Sequence, residues 1–214
     1  MKLYEIISTD EGWKSGLAAA GLGTALTFGG LGTDKSKYLD PPAHPPRVLS
    51  DLEILKQAAV NAGIRGTELA HFISQAAHET LDFSRMKEMG SDKYIIKKYD
   101  IRYNPRKAKI LGNVSPGDGI KYKGRGFLQI TGRYNYRKAG EALGLPLETR
   151  PEMLEDPKIA AKAAVWYWTT RVQPKISSSS TVANVTKKIN PGMRGLNARQ
   201  QKFTQYKDVA DTPH

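Results

Sequence analysis

The chain has 214 residues, enough for one substantial domain and a short appendage, and 39% of them are hydrophobic, with three Trp and ten Tyr. That supports a packed core and excludes a disordered chain, while a net charge of +12 points to an anionic partner: nucleic acid, an anionic membrane surface or bacterial cell-wall polymer. With no cysteine a disulfide framework and a thiolate metal site are excluded, and His71 and His78 lack the i, i+4 spacing of a zinc helix, so neither metal nor cofactor is expected.

From Ser15 to Thr33 the chain is uncharged and rich in Gly and Ala, with Leu17, Leu22, Leu26, Phe28 and Leu31 as larger apolar residues. Six glycines make the run weakly hydrophobic although it is nearly long enough to span a bilayer. Residues 1–33 therefore read as a flexible arm or a weak, releasable membrane anchor through Ser15–Thr33. An ordinary signal peptide fits poorly, because Glu5, Asp10 and Glu11 precede the run. Pro41, Pro42, Pro45 and Pro46 make 34–47 a stiff linker, leaving 48–214 as the main domain.

That domain is predicted to be mostly helical. Ser50 can cap a helix carrying Leu52, Leu55 and Ala59 that ends near Gly63. A second helix runs through Thr67–Thr80, with Leu69, Phe72, Ile73 and Ala76 on one apolar stripe. Gly112 to Gly132 is rich in turn residues, and Phe127, Leu128 and Ile130 suggest a short strand or tight hairpin. Helix returns over Arg133–Leu143. Asp156-Pro157 is a helix start, with Asp as N-cap and Pro at the first position, and Trp166, Tyr167 and Trp168 read as core. Ser177 to Ser180 is a polar loop, and Leu196 to Val209 a final helix.

Glu79 falls on the apolar stripe of the second helix, three residues after Ala76 and seven after Phe72. A carboxylate there is either locked in a structural ion pair or desolvated, and desolvation raises the pKa as a general acid requires. In Gly124-Arg125-Gly126 the alternating glycines allow close approach of backbone to a ligand. On a strand, Gln129 and Thr131 point to one side, with Asn135 following on the next helix; two amides and a hydroxyl suit a sugar. The bland alternative is a turn-rich hairpin with polar decoration.

His78-Glu79-Thr80, then Tyr122-Lys123-Gly124-Arg125-Gly126-Phe127-Leu128-Gln129-Ile130-Thr131-Gly132 with Asn135, then Ile189-Asn190-Pro191-Gly192 resemble glycoside hydrolase family 19, which includes plant-type chitinases and many phage endolysins. The resemblance runs from about Leu69 to Tyr206 and takes in Ala164-Val165-Trp166-Tyr167-Trp168 and Asn197-Ala198-Arg199. It implies a mainly α, lysozyme-like, two-lobed fold with a small β-hairpin region and a central cleft. It also implies inverting hydrolysis of a β-1,4 linkage to an N-acetylated amino sugar, with one carboxylic acid protonating the leaving oxygen and a second carboxylate activating water.

By the resemblance Glu79 is the general acid, Gln129, Thr131 and Asn135 bind sugar or hold the water, and Asn190 and Arg199 occupy distal cleft positions, Arg199 joining the carboxylate network. Tyr122 stacks on a sugar ring or packs in the core. Glu88 matches the endolysin-branch base and is favoured over Asp100. On an unbroken helix, nine residues would carry Glu88 about 13.5 Å along and to the opposite face from Glu79, so the chain must bend, near Leu81-Asp82 or just before Glu88. Leu81-Asp82 replaces the family's usual glycine pair. Asp82 and Asp118 read as structural turn residues, and His78 as a structural neighbour influencing Glu79.

The leading expectation is a monomeric bacteriolytic endolysin acting on peptidoglycan strands, made in a host cytoplasm and delivered to the wall, with no specific nucleic acid partner. Basic charge, missing cysteines and the position of Glu88 favour peptidoglycan over chitin. A chitinase and a noncatalytic anionic-polymer binder are the alternatives.

Overall fold

The apolar stripe of the second helix lies at the centre of the computed structural model, which describes residues 49–211. The Gly/Ala-rich arm of 1–33 and the Pro-rich linker of 34–47 lie outside the described residues. Helix α1 (Asp51–Asn61) begins at a reciprocal capping box: the Ser50 side chain accepts from the Glu53 N–H, and the Glu53 carboxylate accepts from the Ser50 N–H at 2.8 Å. Helix α2 (Gly66–Glu79) buries Leu69, Phe72, Ile73 and Ala76 almost completely.

Four shorter helices have too few turns for their periodicity to stand out in the sequence, but three of them carry side-chain caps. Ser91 caps α3 (Asp92–Tyr99), and Asn104 caps α4 (Pro105–Leu111), which closes on the left-handed Gly112. A single turn, α5 (Asp118–Lys121), leads towards α6 (Arg133–Leu143). The Asp156 side chain accepts from the N–H groups of Lys158 and Ile159 to start α7 (Pro157–Tyr167), as the Asp-Pro pair requires. Helix α8 (Val182–Ile189) opens on a Thr181–Asn184 capping box, and α9 (Leu196–Asp211) closes the described chain. The mainly helical expectation is met.

Three apolar cores result. The largest joins α1, α2, α7 and α8; Trp168, fully buried, packs edge-on against Phe72 and donates its indole N–H to Glu68 at 2.7 Å. A second gathers Tyr122, Ile130, Tyr136, Leu147 and Leu154 beside Ala163 of α7. A third, small one holds α3 to α4 through Ile95, Tyr99 and Leu111. Trp166 packs against the first two, so α7 links them.

The chain does bend after Glu79, at the first of the two expected places. Leu81, Asp82 and Phe83 are three successive left-handed residues, with φ of 51°, 55° and 63°. Each costs roughly 1–2 kcal/mol in an L-residue, so the turn must be held. Thr80 does much of this: its hydroxyl donates to the Ala76 carbonyl at 2.7 Å and accepts the Phe83 N–H at 3.0 Å. From α9, Lys202 and Tyr206 bind the Asp82 carboxylate, confirming its structural role.

Of the short strand or tight hairpin expected around 127–130, the strand is absent and a tight turn closed by one bridge is present. Arg125 and Ile130 pair through a single antiparallel bridge around a turn in which Gly126 and Gln129 are left-handed. The β region consists of isolated bridges, because two left-handed residues within four curl the chain too tightly for a ladder. Gly132, at φ +93°, starts α6 where a Cβ would lie 2.6 Å from the Leu111 carbonyl oxygen and 2.7 Å from its Cβ. Gly132→Ala is expected to lower unfolding free energy by about 2–4 kcal/mol, from left-handed strain plus overpacking, read as a lower urea midpoint at unchanged m-value.

Candidate active site

Two carboxylates are held here by separate scaffolds. Glu79 ends α2, and its Oε1 receives the Arg199 Nη2 at 2.6 Å. Arg199 is 1% exposed, and its Nη1 donates to Gln75, one turn before Glu79. The guanidinium is therefore shared by two side chains on one face of α2. Its buried Nε finds no partner among the described residues, and neither does the Oδ1 of buried Asn190, whose amide N–H donates to the Arg194 carbonyl at 3.4 Å. His78 is half-buried against Gly195; burial lowers its pKa, the Arg199 charge lowers it further, and Glu79 acts in the opposite direction. The sequence had placed Arg199 in a carboxylate network, and its bond to Glu79 has that form.

Glu88 is buried on the chain's return from the left-handed turn. Its N–H donates to the Gly124 carbonyl at 2.8 Å, and the Gly126 N–H donates to Met86, so 86–88 lies antiparallel to 124–126. Its carboxylate meets the Tyr99 hydroxyl at 3.1 and 3.2 Å, the Lys98 Nζ at 3.3 Å and the Gly124 N–H at 3.1 Å. Donors on both oxygens fix the carboxylate's orientation. The loop bearing Gly124 is itself tied down by buried Arg125, which donates to Lys121 O, Tyr136 Oη and Glu155.

The convergence expected of Gln129 and Thr131 is present, although no strand produces it. A methyl placed on Gly124 would lie 2.9 Å from Gln129 Oε1 and 3.1 Å from both Glu88 Oε2 and Thr131 Oγ1. Three side-chain oxygens thus meet the bare face of one glycine. Gln129 is aimed by its left-handed backbone and by donating to Gly126 O; Thr131 donates to Gln129 O, and Asn135 to Thr131 O. Gly124 is required because any Cβ would fill this polar space.

Two residues sit apart from these oxygens. The Tyr122 ring is 1% exposed, packs at 5.4 Å on Tyr136 and donates its hydroxyl to the Glu148 carbonyl. Its surroundings are those of the packed ring, the second of its two readings. Asp100, the rival base, is fully buried; it accepts from Arg102 Nε at 2.9 Å, the Arg102 N–H and the Gly117 N–H at 2.7 Å. The Arg102 hydrogen bond pulls its pKa below the usual carboxylate range against the effect of burial. Asp118 accepts the N–H groups of Val114 and Ser115, a turn role as expected.

Gln75, Lys98 and Tyr99 escaped the sequence reading. Gln75 had a usable signal, a second polar residue on the buried stripe four before Glu79. Lys98 and Tyr99 had none, since only folding brings α3 to Glu88. Among the described residues no cluster of His, Asp or Glu is arranged to hold a metal ion.

Residues 56–202 match the family model of class I chitinase, glycoside hydrolase family 19. A glycosyl hydrolase family 19 domain-containing protein of Haemophilus influenzae is 33% identical over 151 residues, 61% of this chain and 74% of that one. An endochitinase of Arabidopsis thaliana is 34% identical over 126 residues, 58% of this chain but 39% of its own. The chain thus spans about two fifths of that plant relative's length. Among solved structures, a family 19 class IV chitinase from Zea mays superposes with a TM-score of 0.56 at 25% identity, over 74% of this chain and 81% of that one. Chitinase C from Streptomyces griseus gives 0.57 at 24% identity, over 77% and 86%, a likeness of fold.

Two outcomes follow from this geometry. Arg199→Ala should destabilise the protein by about 3–5 kcal/mol in chemical denaturation, because it strands a buried carboxylate and Gln75. Asp100→Asn should melt below wild type at neutral pH. Because the native pKa is depressed, wild-type stabilisation is complete above about pH 4 and is lost as pH falls through the native value, so the gap in Tm should close in acid.

Proposed function

The chain belongs to glycoside hydrolase family 19, and from that premise we propose that it is an inverting glycosidase that cleaves β-1,4 bonds of peptidoglycan, working as a phage endolysin. The observation that carries the catalytic reading is the meeting of Glu88, Gln129 and Thr131 oxygens at Gly124, together with a second carboxylate, Glu79, on an independent scaffold.

In this mechanism Glu79 gives its proton to the glycosidic oxygen as the C1–O bond breaks. Glu88 takes a proton from a water that attacks C1 from the opposite face, so the configuration inverts. Gln129 and Thr131 supply the further contacts that orient that water. Arg199 positions Glu79 through Oε1, and Tyr99, Lys98 and Gly124 position Glu88. Asn135 acts one step back, by fixing the Thr131 carbonyl. Asn190, with its Oδ1 lacking a partner among the described residues, presents an acceptor suited to a sugar hydroxyl or N–H. Asp100 accepts from Arg102 and Gly117 and is not among the oxygens that meet at Gly124, which supports Glu88 as the base.

Peptidoglycan is favoured as substrate by charge. Its peptide-bearing strands are anionic, whereas chitin is neutral, and this chain carries 33 Lys and Arg against 21 Asp and Glu. The second reading, chitin hydrolysis, draws on the relatives and solved structures that are chitinases. Clearing of a purified peptidoglycan suspension without sugar release from chitin is expected; activity on chitin alone would reject the first reading. Mass spectrometry of the fragments should show Glu79→Gln and Glu88→Gln each reduced at least about 100-fold, the scale of losing positioned acid or base catalysis. Asp100→Asn, measured at neutral pH and below its Tm, should retain turnover.

A further inference from the structure

The exposed surface of α3 and α4 concentrates two features. Among the described residues, five of the seven exposed large hydrophobic side chains fall within residues 89–114: Met89, Tyr94, Tyr103, Ile110 and Val114. The same segment holds seven Lys or Arg against two acids, of which Asp100 is buried and paired with Arg102.

Helical spacing arranges them. On α3, Lys93 and Lys97 are one turn apart and exposed, with Tyr94, half exposed, between them. On α4, Arg106, Lys109 and Ile110 share an exposed face. The connecting turn adds Tyr103, 60% exposed, under the Arg102 guanidinium. Each element thus shows cations flanking a large apolar group. None of the ion pairs among the described residues uses Lys93, Lys97, Arg106 or Lys109. The two helices are held together, since Ile95, Tyr99 and Leu111 pack between them and Asn104 donates to the Lys98 carbonyl.

We propose that the outer face of α3 and α4 docks on an anionic phospholipid surface. A soluble polyanion would satisfy the cations alone. Tyr94, Tyr103 and Ile110 gain from burial where an apolar layer lies beneath the charge, as at the boundary between headgroups and acyl chains. Tyrosine, with an apolar ring and a wet hydroxyl, suits that depth. Tyr94 lies beneath the Lys98 Nζ at 5.0 Å, and Lys98 also reaches Glu88, so the docking face borders the carboxylate site.

Sedimentation of the full-length protein with vesicles tests this, taking as readout the gain in binding from pure phosphatidylcholine to an equal mixture with phosphatidylglycerol. The uncharged Ser15–Thr33 run contributes equally to both vesicle types, so that difference reports the basic surface. Wild type should gain at least about tenfold, and Lys93→Ser/Lys97→Ser/Arg106→Ser/Lys109→Ser should lose that gain. Tyr94→Ser/Tyr103→Ser/Ile110→Ser should bind the mixed vesicles several-fold more weakly than wild type. Hydrogen exchange on the unmutated protein should show mixed vesicles protecting residues 92–111. No gain in wild type, a gain retained by the charge variant, wild-type binding by the apolar variant, or protection confined to other segments would each overturn the proposal.

Discussion

The buried guanidinium of Arg199 is the constraint on which the rest of the molecule depends. A charge that is 1% exposed needs partners, and α2 provides two, Gln75 and Glu79, one helical turn apart. That requirement fixes α9 along α2 to within the reach of a hydrogen bond. Once α9 is set, Lys202 and Tyr206 fall on Asp82, and Phe203 stacks on His71 at 4.4 Å. One ion pair near the end of the chain therefore orients the proposed acid and helps hold the turn that leads to the proposed base.

That turn converts a sequence separation into a spatial one. Three left-handed residues are an expensive way to leave a helix, and the chain uses them where glycines would be easier. The cost is met by Thr80, whose hydroxyl serves both Ala76 and Phe83, and by the α9 contacts to Asp82. Glu88 then returns antiparallel to the loop carrying Gly124. Rigid support of both carboxylates is what acid–base chemistry needs, because a small displacement of either group costs rate steeply.

The smaller core, between α3 and α4, serves two surfaces at once. Tyr99 and Lys98 reach Glu88, while Tyr94, beneath the Lys98 Nζ, and Lys97 are exposed to solvent. Electrostatics divides accordingly. Near Glu79 and Glu88 every cation contacting a carboxylate is matched to it, whereas on the outer face cations greatly outnumber acids. The net charge of +12 is thus unevenly spread, with a local excess on a helix pair that also exposes apolar side chains.

Local rules made much of this legible in the sequence. Ser50 and Asp156 cap the helices they were read to cap, the apolar stripe of α2 is buried, and the need for a bend after Glu79 follows from helix geometry once the family resemblance pairs Glu88 with Glu79. Those features depend on residues within a few positions of each other. At 127–130 the sequence allowed a short strand or a tight hairpin, and the left-handed backbone at Gly126 and Gln129, which period-2 spacing does not report, closes a tight turn. Tyr122 offered two readings that only its surroundings separate, and the sequence could not show that the Asp100 carboxylate is bound to Arg102 and Gly117 while Glu88 meets Gly124. Sequence by itself determined the longer helices, the Ser50 and Asp156 caps, and Glu79 as a carboxylate out of place on an apolar face. Only the tertiary structure decided what each carboxylate touches, because Arg199 lies 120 residues from Glu79 and Gly124 lies 36 from Glu88, and no local pattern encodes a contact across such distances.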